Sequence, residues 1–138
     1  MKKFKAFYYI GASLSMLVGI WHFFVPWMFQ WSTYIPGEYE LLLVLINWVN
    51  LCFSFFLTVT SFIVLLWGKK VFAGNREAIF IHGFLLAVWI FRACIAVLYP
   101  CPPETNVWMN YGQWIGTVLI LLLLLIPFIK VNEKRFSR

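Results

Sequence analysis

The chain has 138 residues, 63% hydrophobic, 21% aromatic and only 12% charged, with eleven basic and five acidic side chains giving a formal charge of +6. A soluble domain carries about twice that charged fraction, so an ordinary soluble domain is excluded. At about 20 apolar residues per membrane-crossing helix, the length holds roughly four spans and leaves no room for a separate soluble domain.

The first apolar run covers 5–29 and follows Met1-Lys2-Lys3-Phe4-Lys5. That opening looks like a secretory signal, but the run outlasts a short signal core and has no small-residue cleavage site before Trp21-His22-Phe23. It is expected to stay as the first helix. Gly11, Ser15 and Gly19 recur every four residues, with His22 three further on. At the helical period these four lie within a sector of about 80°, which marks a packing face, because small residues let membrane helices approach closely. Two readings of His22 are open: a donor or acceptor in a pocket, or a structural hydrogen bond across helices. Pro26 has no N–H, so it should kink this helix and free the carbonyl of His22, four residues earlier.

Tyr34-Ile35-Pro36-Gly37 predicts a turn before a second run over 39–67. Glu40, Asn47, Asn50, Ser54, Thr58 and Ser61 project along one side of that run. A polar stripe of this length should turn away from lipid and find partners in the protein. For Ser54, Thr58 and Ser61 the favoured reading is interhelical glue with bonds to carbonyls of their own helix. For Asn47 and Asn50 a pocket role and a structural role stand level.

Gly74-Asn75 offers an N-cap for the third run, 77–98, which Pro100 and Pro102-Pro103 end. Arg92 is the one cation inside a span, where it would cost about 2.5–3.5 kcal/mol at a helix centre without a partner. It either snorkels and pairs with Glu40 or Glu104, or clamps an anion or a carbonyl. His82 is expected at the opposite interface, roughly 15 Å from the level of His22, so one haem iron would not take both. Haem is disfavoured for that reason. Metal chemistry is disfavoured too, because neither a carboxylate cluster nor a zinc-type Cys/His set is present. Cys94 and Cys101 could pair only if Pro100 bends the chain between them. The fourth run, 106–129, carries Asn110, Gln113 and Thr117 on one face.

Ten of the eleven cations lie before the first run, between the second and third, or after the fourth, whereas Glu38, Glu40 and Glu104 occupy the other two connections. By the positive-inside rule both termini are cytoplasmic. The expected fold is therefore all-α, an up-down-up-down four-transmembrane-helix bundle forming a single domain over 1–138, N-in/C-in in a bacterial cytoplasmic membrane. The +6 is then a topology signal, with anionic lipid as a contact and no role for nucleic acid. His22, Asn47, Asn50, Arg92 and Gln113 all fall roughly 10–15 Å below the outer surface by the helical rise. They are the candidate lining of a pocket open to the extracytoplasmic side, with Trp21, Trp48, Trp89 or Trp114 as walls.

The stretch Gly19-Ile20-Trp21-His22-Phe23-Phe24-Val25-Pro26-Trp27-Met28-Phe29, followed by Tyr34-Ile35-Pro36 and a second apolar span, resembles the opening of DoxX-like small membrane proteins. These share a G-x-x-H-F-x-x-P-x-x-F element and four helices. On matching positions the resemblance implies roles for Gly19, His22, Phe23, Pro26 and Phe29, of which the histidine has chemistry. The chain departs from the pattern at Asn47-Trp48-Val49-Asn50 and at Tyr99-Pro100-Cys101. That family includes subunits associated with quinone-linked sulfur oxidation alongside members of no assigned role, so the resemblance names no substrate. The first functional expectation is an accessory or electron-transfer-associated subunit whose pocket holds a quinone-like or lipid-like head. The second is a membrane-embedded enzyme with His22 as acid or base and Arg92 as oxyanion stabiliser. The third is a purely structural partner subunit, and assembly as a homo-oligomer or with a membrane partner fits any of them.

Overall fold

The structure, a computed structural model, describes residues 2–100 and 107–136, and among these it contains helices and no strand. They are α1 (Lys2–His22), the short α2 (Val25–Met28) and α3 (Trp31–Tyr34), a 3-10 turn at Gly37–Tyr39, then α4 (Glu40–Phe72), α5 (Arg76–Leu98) and α6 (Val107–Phe136). The four long helices are each long and apolar enough to cross a membrane. Large apolar side chains such as Leu41, Val49, Phe56, Phe80 and Phe91 are 67–74% exposed. A water-facing surface does not tolerate so much contiguous apolar area, whereas lipid does. The chain is an integral membrane protein.

Helix ends follow local chemistry, and they correct several expected boundaries. The first run was expected to be helical to residue 29, but α1 stops at His22, because the Pro26 ring cannot sit in the turn above the His22 carbonyl. The chain continues through α2, takes a left-handed turn at Gln30 (φ 49°, ψ 47°) and enters α3. At the other end α4 runs through Lys69 and Lys70 to Phe72, five residues beyond the expected 67, and α6 continues to Phe136 rather than 129. Long basic side chains tolerate helix at an interface, so hydropathy alone ends these spans too early. Between α4 and α5, Gly74 adopts φ +86° and the Asn75 side chain accepts from the Ala78 N–H at 2.9 Å, the N-cap expected there.

α1 packs on α4 and α6, and α5 packs on the same two, closing a ring. Tyr8 donates to the Val64 carbonyl, Ser15 meets Ser61, Gly19 faces Thr58 and the His22 carbonyl takes Asn50. Positions that rise along α1 thus meet positions that fall along α4, so the two run antiparallel. The small-residue stripe does what its spacing implied. A Cβ at Gly19 would stand 2.5 Å from Thr58 Oγ1 and 2.8 Å from the Thr58 backbone nitrogen, so only glycine permits this approach. Gly11 plays the same part against Leu123 of α6. Tyr8, Leu57, Val64, Leu85, Trp89 and Leu124 fill the centre.

Candidate functional site

The site begins where α1 ends. Pro26 removes the N–H that would have taken the His22 carbonyl, and Asn50 of α4 supplies a replacement, its Nδ2 donating to that oxygen at 2.8 Å. Within the last turn of α1, His22 Nδ1 lies 2.8 Å from the Val18 carbonyl. A carbonyl only accepts, so Nδ1 carries a proton and, in the neutral ring, Nε2 keeps the lone pair. The imidazole is wedged edge-to-face between Trp21 (5.1 Å between ring centroids) and Phe53 of α4 (5.3 Å). Trp21 in turn meets Phe29 edge-on at 6.3 Å. The G-x-x-H-F-x-x-P-x-x-F element is therefore a close helix contact, a helix break and a braced imidazole in one stretch.

Below it, a hydrogen-bonded chain ties the helices together. Trp89 of α5 donates its indole N–H to Ser15 Oγ of α1 at 2.8 Å, Ser15 and Ser61 hydroxyls are 2.8 Å apart, and Ser61 donates to the Leu57 carbonyl at 2.7 Å. Ser61 has one proton and gives it to Leu57, so Ser15 must donate to Ser61 and every bond has a fixed direction. All three side chains are essentially unexposed. Trp89 is thereby locked, and its face carries the Arg92 guanidinium 5.8 Å from the ring centroid. Arg92 Nε points to Thr117 Oγ1 of α6 at 3.4 Å. The sequence Leu57, Ser61, Ser15, Trp89, Arg92, Thr117 touches all four long helices.

Between α1, α5 and α6 lies a cavity of about 280 Å³ lined by His22, Arg92, Gln113, Thr117, Trp21 and Trp89. Gly112 and Gly116 of α6 also border it, and a Cβ on either would meet nothing within 4 Å, so these glycines hold space open. A second cavity of about 220 Å³ shares Arg92, Gln113 and Thr117 and adds Asn110 and Tyr99. A third, of about 490 Å³ and almost wholly apolar, lies on the α4 side of Arg92 against Phe53, Phe84 and Phe91. Arg92 is the residue common to all three.

Of the five residues singled out from sequence, His22, Arg92 and Gln113 border one cavity. Asn50 does not border it; its amide serves the His22 carbonyl. Asn47 does not border it either, and its Oδ1 is buried without a hydrogen-bond partner. Ser54 and Ser61 bond the carbonyls of Asn50 and Leu57 in their own helix, the arrangement favoured for them, and Thr58 Oγ1 is buried and unpaired beside Gly19. His82 is a correction. It was expected at an interface, but it is fully buried between Tyr8 (4.8 Å) and Phe128 (5.5 Å), where its one backbone contact, to Leu124, falls short of normal hydrogen-bond geometry. Its partner Tyr8 sits fourteen residues before His22 on α1, so the two histidines are about 21 Å apart in level, more than the spacing expected from sequence. Cys94 is exposed, while Cys101 and Glu104, and with them the disulfide and one of the two ion pairs considered, lie outside the described residues.

Sequence reasoning gave Ser15 only a packing role and left Trp89 as one of four interchangeable wall residues. A polar stripe on one helix says that partners exist but not which; the diagonal across the bundle is visible only once the helices are rotated into place. Gly112 and Gly116 were passed over, though two glycines four apart on the face of Gln113 mark a helix made thin. Comparison with protein-family models, with curated proteins and with solved structures finds no match for this chain.

Proposed function

We propose that this protein holds the polar head of a quinone-like or lipid-like amphiphile in the cavity between α1, α5 and α6, as an accessory or electron-transfer-associated membrane subunit, N-in/C-in with up-down-up-down helices. The observation that carries the reading is the convergence of Arg92, Gln113, Thr117 and His22 on one cavity with tryptophan walls. At about 280 Å³ it accepts a head but not a tail, being at the lower limit of small-molecule sites, roughly 300–1,000 Å³. Its donors suit a ligand that accepts hydrogen bonds: the guanidinium and the Gln113 amide toward a carbonyl or phosphate oxygen, with Trp21 and Trp89 against a ring. The thinned face at Gly112 and Gly116 lets an apolar tail leave between α1 and α6. The likeness to DoxX-like proteins points the same way, through relatives associated with quinone-linked oxidation.

A short-chain benzoquinone titrated into the purified protein in lipid nanodiscs tests this by quenching of tryptophan fluorescence. Saturable quenching is expected, with affinity weakened at least tenfold in Arg92→Gln, since a hydrogen bond to a charged group is worth about 1.5–3 kcal/mol. Linear, unsaturated quenching that is the same in Arg92→Gln would mean simple partition into lipid and would end the proposal.

One observation favours a catalytic variant of this reading. The Val18 carbonyl holds the Nδ1 proton of His22, so the lone pair at Nε2 is free to act as a base. In that case His22→Gln abolishes turnover of a bound substrate while leaving the quenching isotherm nearly unchanged.

A further inference from the structure

The basic end of the bundle holds a second feature, separate from the cavity between α1, α5 and α6, although Phe84 and Ala87 also border the apolar cavity on the α4 side of Arg92. Where α5 begins and α6 ends, a wide groove of about 600 Å³ opens between the two helices. Arg76 and Arg135 stand in it together with Phe80, Phe84 and Phe128. Phe80 is 74% and Phe84 55% exposed, so the groove is bordered by aromatic side chains with no protein over them. Gly83 forms part of the floor: a Cβ there would come 3.1 Å from Phe128 Cε2, so its absence lets that ring settle against α5.

Charge and length both specify what fits. Three other cations at this end are engaged, Lys70 over the Trp67 ring (4.6 Å), Lys5 over Phe72 (5.7 Å) and Lys130 with Glu133 (2.7 Å), and Lys2, Lys3 and Lys69 do not line the groove. Arg76 and Arg135 have no ion pair or hydrogen bond among the described residues, although both stand in one groove. Arg76 also opens α5, where the helix dipole adds to the positive potential. From Arg76 to Ala87 the groove follows eleven residues of α5, about 16 Å by the helical rise, which is half of a hydrocarbon core of about 30 Å. Two guanidiniums at one end of an apolar, aromatic-edged channel one leaflet long match a phosphate joined to an acyl chain.

We propose that this groove is a binding site for one anionic phospholipid, its phosphate held between Arg76 and Arg135 and one acyl chain lying along Phe80, Phe84 and Ala87. Arginine suits this role better than lysine because its planar fork meets phosphate oxygens in pairs. The site is distinct from diffuse attraction of the basic end to an anionic membrane, and the two make different predictions.

The test is native mass spectrometry of the full chain in detergent, titrated with phosphatidylglycerol and, in parallel, with phosphatidylcholine. The expected result is one phosphatidylglycerol bound in preference to phosphatidylcholine. Arg76→Gln/Arg135→Gln should weaken it about thirtyfold, from roughly fivefold for each basic residue near a headgroup. The charge-matched control Lys2→Gln/Lys3→Gln removes two exposed cations from the same end and should leave that affinity nearly unchanged. Ala87→Phe fills the channel from an exposed position without touching either arginine, and should also displace the lipid. Equal losses in the two charge variants would overturn the proposal in favour of diffuse attraction. Wild-type affinity in Ala87→Phe would overturn it too, because the acyl chain would then lie elsewhere.

Discussion

Ser15→Ala is the sharpest probe of how the bundle is assembled. Ser15 Oγ accepts from Trp89 and donates to Ser61, so the substitution breaks two hydrogen bonds and leaves the Trp89 N–H, on a side chain only 1% exposed, with nothing to bond. Interhelical hydrogen bonds in membranes average about 0.6 kcal/mol, giving about 1.2 for the pair, and an orphaned buried donor adds about 1–3. The expected loss is therefore about 2–4 kcal/mol. Ser61→Ala removes one interhelical bond, but the Ser15 hydroxyl still accepts from Trp89 and can turn its freed proton to a carbonyl of its own helix, which an indole N–H cannot do, so it should cost only about 0.6–1.7 kcal/mol. Both can be measured by reversible unfolding in mixed micelles as denaturing detergent is raised, and Trp89→Phe closes a double-mutant cycle with Ser15→Ala whose coupling should be about 1 kcal/mol. A Ser15→Ala loss no larger than that of Ser61→Ala, or a coupling near zero, would refute the directed chain. Since Trp89 presents its face to Arg92, Ser15→Ala should also weaken the quinone isotherm without touching the cavity.

Three further outcomes follow from the same geometry. Gly116→Ala has open space around its new methyl and should be neutral or stabilising by up to about 1 kcal/mol from helix propensity, whereas Gly116→Leu should fold normally and lose saturable quenching. Asn50→Leu strands the His22 carbonyl and should cost about 1–3 kcal/mol in the unfolding assay; adding Pro26→Ala returns an N–H four residues after His22 and should recover part of it. His82→Leu removes a buried imidazole whose contact with the Leu124 backbone falls short of a normal hydrogen bond, and should change the unfolding free energy by less than about 1 kcal/mol; a larger loss would show that the Leu124 contact is a full hydrogen bond.

Much of this was legible before any coordinates. Span number followed from hydropathy, and the packing face of α1 followed from Gly11, Ser15 and Gly19 because close approach in lipid needs small residues at the helical period. Even the Pro26–His22 relation was readable, since a proline orphans a specific carbonyl; only the identity of its new partner, Asn50, needed the fold. What failed did so for a common reason. His82 was assigned by counting residues from a helix end, but depth along a helix says nothing about the direction a side chain takes. The start of α5 was expected within one residue of where it lies, so the count along the helix was right and only the direction of the side chain was missed. Asn47 and Asn50 shared a depth with His22, yet they lie on α4, which does not border the cavity. Which helices surround the cavity, not depth, decides that question, and it is set by contacts between helices far apart in the chain.

The directed serine chain also constrains proton traffic. An indole N–H can give a hydrogen bond but cannot take up a proton at neutral pH, and a peptide carbonyl has none to pass on. The row from Trp89 through Ser15 and Ser61 to Leu57 consequently has a source that cannot be refilled and a sink that cannot discharge. Although it crosses the centre of the bundle, it cannot serve as a wire, and no charge crosses the membrane along it. On the proposed reading, a proton that accompanies reduction or turnover of a molecule beside Arg92 travels by another route than this row, and the Nε2 atom of His22, at the cavity, is a group able to exchange it.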